Sequence, residues 1–220
     1  MASLVPTACC CLVSPLSSDE AAQSLQVFLE KKILEEKMSF SQAIASVCAT
    51  FPHCSSVVCH QQASGLVQSR IELDEPLCAV NDDMVLTTRG VLVAHGVYAD
   101  EELVGLPHVR INEAANGLIV SPSQLSFFRS LPESIFLTHE IIYKNDDELL
   151  MQSKGVQHAY LCAVDTVVDA ALMQRCDKVL ADLEQQKVTN KKKTRTAWVL
   201  DVRFDKQIIL YPDMGGQVHG

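Results

Sequence analysis

The first third of the chain has hydrophobic residues at helical spacing behind an apolar stretch without charge. Residues 1–16 are uncharged and contain prolines at two positions, so we interpret them as an extended arm that adds an edge strand. Ser17 and Ser39 are each followed three residues later by Glu or Gln, which is the spacing of a capping box. These boxes predict two helices, one over about 17–38 and one from 39 to the proline at 52.

The hydrophobic period changes to alternation in the middle of the chain. Between Val67 and Leu73 apolar and polar side chains alternate, which predicts a strand with one buried and one solvated face. The dipeptide Asn116-Gly117 is a strong turn signal. Further strands are predicted at 55–60, 84–88, 91–98, 108–111 and 118–120.

The C-terminal half mixes both periods. Ser121 stands before a proline and predicts the start of a short helix, and Asn145 predicts the start of another. A stripe of apolar residues fits one long helix near 158–187. Strands are predicted at 135–143, 197–204 and 207–211.

The order of these elements is mixed rather than regularly alternating, which is typical of an α+β fold. We expect a mixed or antiparallel sheet packed against several helices, among them the N-terminal helical pair and the long helix near 158–187. The sequence predicts a single domain over 17–220 behind the arm 1–16, with one candidate sub-boundary near 188–196.

Composition sets limits on function. Hydrophobic residues make up 48% and charged residues 20% of the chain, which predicts a folded globular protein. The formal net charge of −9 disfavours nonspecific binding to nucleic acid, because phosphate contacts need Lys and Arg. No apolar stretch is long enough to cross a bilayer, and no basic residue precedes the first apolar run as it would in a secretory leader.

The cysteines indicate a compartment and raise the question of metal. Their number, 9, is odd and they lie in apolar patterns, which predicts free thiols and a cytoplasmic or nuclear location. The spacing of the densest potential ligand set is irregular and lacks the paired knuckles of a zinc site. We therefore predict no metal, and no cofactor either, because phosphate-binding glycine loops and common catalytic motifs are absent. That ligand set comprises Cys48, His53, Cys54, Cys59 and His60.

Three adjacent cysteines, Cys9, Cys10 and Cys11, have two interpretations. Thiols in an apolar, near-terminal context are candidates for S-acylation, which would tether the protein to a membrane. We favour packing in an edge strand or core, because no polybasic patch supplies a second membrane signal.

The only basic cluster in the sequence is formed by Lys191, Lys192, Lys193 and Arg195. It follows a predicted helix C-terminus, where positive charge offsets the helix dipole in a solvated loop. Together with Trp198, these residues are also candidates for RNA binding. We favour the solvated loop.

The segment Trp198–His219, WVLDVRFDKQIILYPDMGGQVH, resembles the active-site region of tRNA-splicing endonuclease subunits, in which a strand ending in Tyr-Pro precedes a catalytic His. The stretch Gly117–Leu131 is similar to a pre-catalytic element of that family. The resemblance implies that Tyr211 would deprotonate a ribose 2′-hydroxyl and that His219 would protonate the leaving 5′-oxygen. The family's catalytic Lys has no counterpart after His219, so the resemblance implies a structural subunit.

Two functions follow as hypotheses. A patterned core without a recognised catalytic motif favours a non-enzymatic subunit or adaptor of a larger intracellular assembly, acting through protein–protein contacts that include homo-oligomers. The alternative is a structural subunit of an RNA-processing complex. An enzyme that uses His95, His108 or His139 is the third hypothesis, which we favour least because isolated histidines in apolar strands are more often structural.

Overall fold

A computed structural model describes residues 6–111, 118–145, 147–155, 158–163, 165–189, 197–204 and 207–212 of the chain. Two compact units are present. The first contains the described residues up to Leu106 together with 118–120, and the second contains the remainder. The single domain over 17–220 and the sub-boundary near 188–196 stay predictions.

The first unit holds three layers of local structure in chain order. Its elements are β1 (Ala8–Val13), α1 (Asp19–Glu30), a π-helical turn (Lys31–Glu35), α2 (Phe40–Thr50), β2 (Cys54–Gln61), β3 (Leu66–Leu73), β4 (Pro76–Val80), β5 (Met84–Thr87), β6 (Leu92–Ala94), a 3-10 turn (His95–Val97) and α3 (Asp100–Leu103).

A three-stranded sheet in the order β1-β3-β2 forms the base of the first unit. β1 runs parallel to β3, and β2 runs antiparallel to it. The alternation predicted for β3 places its apolar face in a core shared with α1 and α2, and this core includes Leu25, Leu29, Val47, Val67 and Ile71. β4, β5 and β6 form an antiparallel meander in the same unit.

The helix starts of the first unit follow the predicted capping chemistry with one correction. Ser39 caps α2 in a complete capping box with Gln42, as predicted. The cap of α1 is Ser18 rather than Ser17, since the Ser18 hydroxyl accepts a hydrogen bond from the Ala21 amide at 3.2 Å. Ser17 is buried and its hydroxyl donates to the Val97 carbonyl instead. Neighbouring serines compete for the cap, and tertiary contacts decide between them.

The second unit contains β7 (His108–Ile111), α4 (Pro122–Ser130), α5 (Glu133–Thr138), β8 (His139–Asn145), β9 (Glu148–Ser153), β10 (His158–Ala163), α6 (Ala170–Thr189), β11 (Trp198–Phe204) and β12 (Gln207–Pro212). Its strands lie in the order β7-β8-β9-β10-β11-β12. The pairs β7–β8 and β10–β11 are parallel, and the other neighbours are antiparallel. The predicted α+β class with a mixed sheet and several helices is therefore confirmed.

Three element predictions in the second unit are wrong. The stretch 135–143 is divided between α5 and β8, and the helix predicted after Asn145 is the strand β9. The long helix does not begin near 158, because residues 158–163 form β10 and α6 starts at Ala170. Asp169 caps α6 by accepting a hydrogen bond from the Leu172 amide at 2.7 Å.

Candidate functional site

The β11–β12 hairpin lies at one end of the sheet of the second unit. The two strands pair Asp201 with Ile209, Leu200 with Leu210, and Val199 with Tyr211. The register shifts between Asp201 and Phe204, so β11 carries a bulge there. β12 is the terminal strand, and within the described part of the chain no strand pairs with its outer side. We call this outer backbone side of Gln207–Pro212 the β12 edge.

The side chains of β12 are apolar and incompletely covered. Leu200 and Val202 on β11 are buried at 0% and 4% exposure, whereas Tyr211 is 45% exposed. Ile208, Ile209 and Leu210 are half-buried although they are large and apolar. No charged residue occupies β12, and charge is the common means of protecting an edge strand from pairing. The β12 edge is therefore an unprotected and partly apolar strand edge.

A charged cluster stabilises the bulge beside this edge. The Arg203 guanidinium donates two hydrogen bonds to the buried Asp201 carboxylate, from Nε at 2.9 Å and from NH2 at 2.7 Å. Arg203 also donates to the Glu148 carboxylate on β9. The Asp201 carboxylate accepts a further bond from the Arg203 amide at 3.2 Å, across the bulge. These hydrogen bonds keep the pKa of Asp201 below its usual value.

This cluster bears on the cation that RNA cleavage would require. The carboxylates, Asp201 first, raise the pKa of Arg203, so the guanidinium is charged and its charge is compensated. A cation already bound to two carboxylates is a poor stabiliser of a developing phosphorane charge. Arg203 therefore serves the sheet structure rather than the transition state of a nuclease.

The structure places only part of the predicted nuclease-like and RNA-binding set. Tyr211 lies on β12 with its side chain partly exposed. Trp198 is half-buried on β11, in register with His158 and Pro212. His219, Lys191, Lys192, Lys193 and Arg195 lie outside the described residues, and so does the turn predicted at Asn116-Gly117. The catalytic and RNA-binding roles of these residues stay predictions.

The cysteine and histidine residues considered as metal ligands are dispersed in the first unit. Cys59 and His60 are consecutive on β2, so their side chains point to opposite faces of the sheet. Cys48 is exposed on α2, whereas Cys54 is buried. Among the described residues no three His, Cys, Asp or Glu side chains converge as metal ligands would.

The three N-terminal cysteines alternate across β1. Cys9 and Cys11 pack against the core of the first unit, and Cys10 is exposed on the opposite face. Burial raises the pKa of Cys11 to about 12, which keeps its thiol protonated and unreactive. Only Cys10 of the three has the exposure that S-acylation needs, and the modification itself stays a prediction.

Arg89 organises a second polar cluster in the first unit that the sequence did not reveal. Its Nε donates to the buried Asp74 carboxylate at 2.6 Å, and its NH2 donates to the Pro52 and Cys54 carbonyls, both at 2.8 Å. The Tyr98 hydroxyl donates to the Asp74 carbonyl at 2.8 Å. Burial raises the pKa of Asp74, Cys54 and Tyr98, so none of them is poised as a base or nucleophile near neutral pH. The cluster is a structural junction.

Comparisons with known proteins assign no family to the chain. No protein-family model matches it, and no curated protein matches it. Within the described residues, no helix has both the length and the apolar character of a bilayer-spanning segment.

Proposed function

We propose that the chain is a non-enzymatic subunit or adaptor that binds a partner protein by strand addition at the β12 edge. The observation that carries this proposal is the terminal position of β12 combined with its uncharged, partly exposed apolar side chains. A terminal strand presents N–H and C=O groups that an extended segment of another protein satisfies by continuing the sheet. Burial of Tyr211 and its neighbours by that segment adds hydrophobic stabilisation.

The charge distribution around the hairpin supports a structural rather than a catalytic role. Arg203 is bound to Asp201 and Glu148, and this network holds β11 to β9 close to the β12 edge. A preorganised edge lowers the entropic cost of ordering a partner segment. As part of this proposal we place the protein in the cytoplasm or nucleus, where its 9 thiols stay reduced.

The test uses two variants that add charge at exposed apolar positions of the second unit. Tyr211→Lys puts a lysine on the β12 edge, whereas the matched control Leu137→Lys changes a side chain on α5 that is 73% exposed. Each protein is used to isolate partners from its native cells, and the purified partner is then titrated by calorimetry. We expect Tyr211→Lys to weaken binding at least about tenfold, because the lysine leaves an apolar contact unmade and resists burial.

Leu137→Lys should bind the partner as the unchanged chain does, and cross-links from the partner should map to residues 207–212. Equal binding by both variants would contradict the proposal. Retention that disappears after ribonuclease treatment would favour the alternative, a structural subunit of an RNA-processing complex. A dimer in sedimentation velocity that Tyr211→Lys dissociates would identify the partner strand as β12 of a second copy.

A further inference from the structure

The backbone orientation of β12 follows from how the hairpin closes. Phe204 pairs with Gln207, and two residues separate them in the chain. In a two-residue hairpin the closing pair bonds through its own backbone groups. The N–H and C=O of Gln207 therefore point toward β11.

Alternation then fixes the direction of every later residue of the strand. Successive residues of a strand direct their backbone groups to opposite sides, and the register from Ile209 to Tyr211 is unbroken. Ile209 and Tyr211 consequently bond to β11. The backbone groups of Ile208, Leu210 and Pro212 point outward, to the β12 edge.

Pro212 gives the same orientation independently. Proline has no N–H, and within sheets it is confined to positions where a missing donor removes no ladder bond, such as the outer side of an edge strand. Pro212 is in register with Trp198 at the end of β12. An outward-facing Pro212 leaves the ladder with β11 intact, which requires Leu210 and Ile208 to face outward as well.

We propose, on the basis of the function proposed above, that the β12 edge offers two donors and three acceptors and so recognises a short apolar extended segment. The donors are the amides of Ile208 and Leu210, and the acceptors are their carbonyls and that of Pro212. Pro212 ends the row of donors, so the pairing spans about three to five partner residues at roughly 3.4 Å each.

The side chains beside this edge define the chemistry of the partner. Ile208 and Leu210 lie on one face of β12, and Ile209 and Tyr211 lie on the other. All four are apolar and none is fully buried. A partner strand therefore meets apolar neighbours on both of its faces, which selects a continuous run of β-branched or aromatic residues rather than an alternating one.

The orientation is tested by hydrogen exchange of backbone amides in the full chain without a partner. We expect the amides of Ile209 and Tyr211 to exchange at least about tenfold more slowly than those of Ile208 and Leu210, because only the former are in the ladder. Slower exchange at Ile208 and Leu210, or equal exchange at all four, would overturn the assigned orientation. This result does not depend on whether any partner binds.

Recognition is tested with a synthetic peptide of sequence KGVIVIVGK and amide-to-ester replacements in the full chain. An ester at residue 210 removes an outward donor and keeps the Leu side chain, whereas an ester at residue 211 removes a ladder donor. We expect the ester at 210 to weaken peptide binding about tenfold, the loss for one hydrogen bond, with an unchanged melting temperature.

The ester at 211 should lower the melting temperature and leave peptide affinity within about twofold, since that donor does not face the peptide. Weakening by the ester at 211 but not at 210 would overturn the inference. If the unchanged chain does not bind the peptide although the exchange pattern is as expected, the strand-addition function itself fails while the orientation stands.

Discussion

At the scale of single residues, Arg89 joins segments that are distant in sequence. It binds Asp74 at the end of β3 and two carbonyls around the start of β2. The second carboxylate oxygen of Asp74, Oδ2, is buried and has no hydrogen-bond partner among the described residues. Asp74 is therefore already incompletely satisfied, and it depends on Arg89 for its compensation.

Removing Arg89 should be costly for this reason. We expect Arg89→Ala to lower the free energy of unfolding by about 3 kcal/mol, because a buried carboxylate and two carbonyls lose their donor. Denaturant unfolding measures the change. The control is Arg70→Ala, which removes an exposed ion pair with Glu72 and should cost less than about 1 kcal/mol. Similar losses in the two variants would contradict the role given to Arg89.

His53, next to this junction, should make the first unit sensitive to acid. Burial, followed by the nearby Arg89 charge, lowers the pKa of His53 to about 4 from 6.5. The neutral ring is thus favoured in the folded state, so its contribution is complete above pH 6.5 and is lost as the pH falls toward 4. The loss amounts to about 3 kcal/mol.

Unfolding measured between pH 7 and pH 4 checks this expectation. His53→Gln should flatten the pH dependence over that range, since glutamine does not titrate. His60→Gln, at an exposed position of β2, serves as the control and should leave the slope unchanged. A His53→Gln variant with the original slope would refute the assignment.

At the scale of elements, the end of the first helix carries a conformational cost. Lys37 follows the π-helical turn with φ of 53°, a left-handed conformation that a β-carbon disfavours. The Met38 amide bonds back to the Lys32 carbonyl at 3.0 Å, which holds Lys37 in place. We expect Lys37→Gly to raise the free energy of unfolding by about 0.5–1 kcal/mol.

Gly105 provides the reciprocal experiment by the same denaturant measurement. Its φ is 83°, and a β-carbon added there would meet no atom within 4 Å. Gly105→Ala should therefore destabilise by about 1 kcal/mol through backbone conformation alone. If Lys37→Gly lowers stability, left-handed strain does not govern this helix end.

Local chemistry predicted some elements and misdirected the prediction of others. The capping boxes at Ser39 and Ser121 predicted helix starts because a side chain bonding the third following amide is specific to that geometry. Asn145 uses related chemistry for another purpose, since its side chain accepts from the Asp147 amide in the β8–β9 turn. The local sequence does not distinguish a helix cap from such a turn.

Periodicity misled where one pattern suits two structures. The apolar residues of 158–163 continue the spacing of α6, but β10 is buried between β9 and β11, where a continuous apolar run is equally expected. The candidate site shows the same limit. The β12 strand was predicted, whereas its terminal position and the Asp201–Arg203–Glu148 network depend on partners 55 residues apart in the chain.

At the scale of the whole molecule, all 9 cysteines are free thiols with different exposure. Cys10 and Cys48 are exposed, whereas Cys54, Cys78, Cys162 and Cys176 are buried. We expect a thiol reagent to modify the two exposed cysteines quickly in the native protein and the buried ones only after unfolding. Mass spectrometry of partially labelled protein assigns the sites, and rapid labelling of Cys78 or Cys162 would contradict the packing described.

The parallel pairing of β1 with β3 also has a consequence for synthesis of the chain. Ala8 pairs with Leu66, and Val13 pairs with Ile71, so β1 has no sheet neighbour until β3 has been made. At translation rates of about 5–20 residues per second, this interval lasts several seconds. During it, a strand containing three cysteines is exposed while α1 and α2 can already form. The nascent chain is therefore most vulnerable to oxidation and misassociation at its first strand, and chaperones that bind short apolar segments would protect it there.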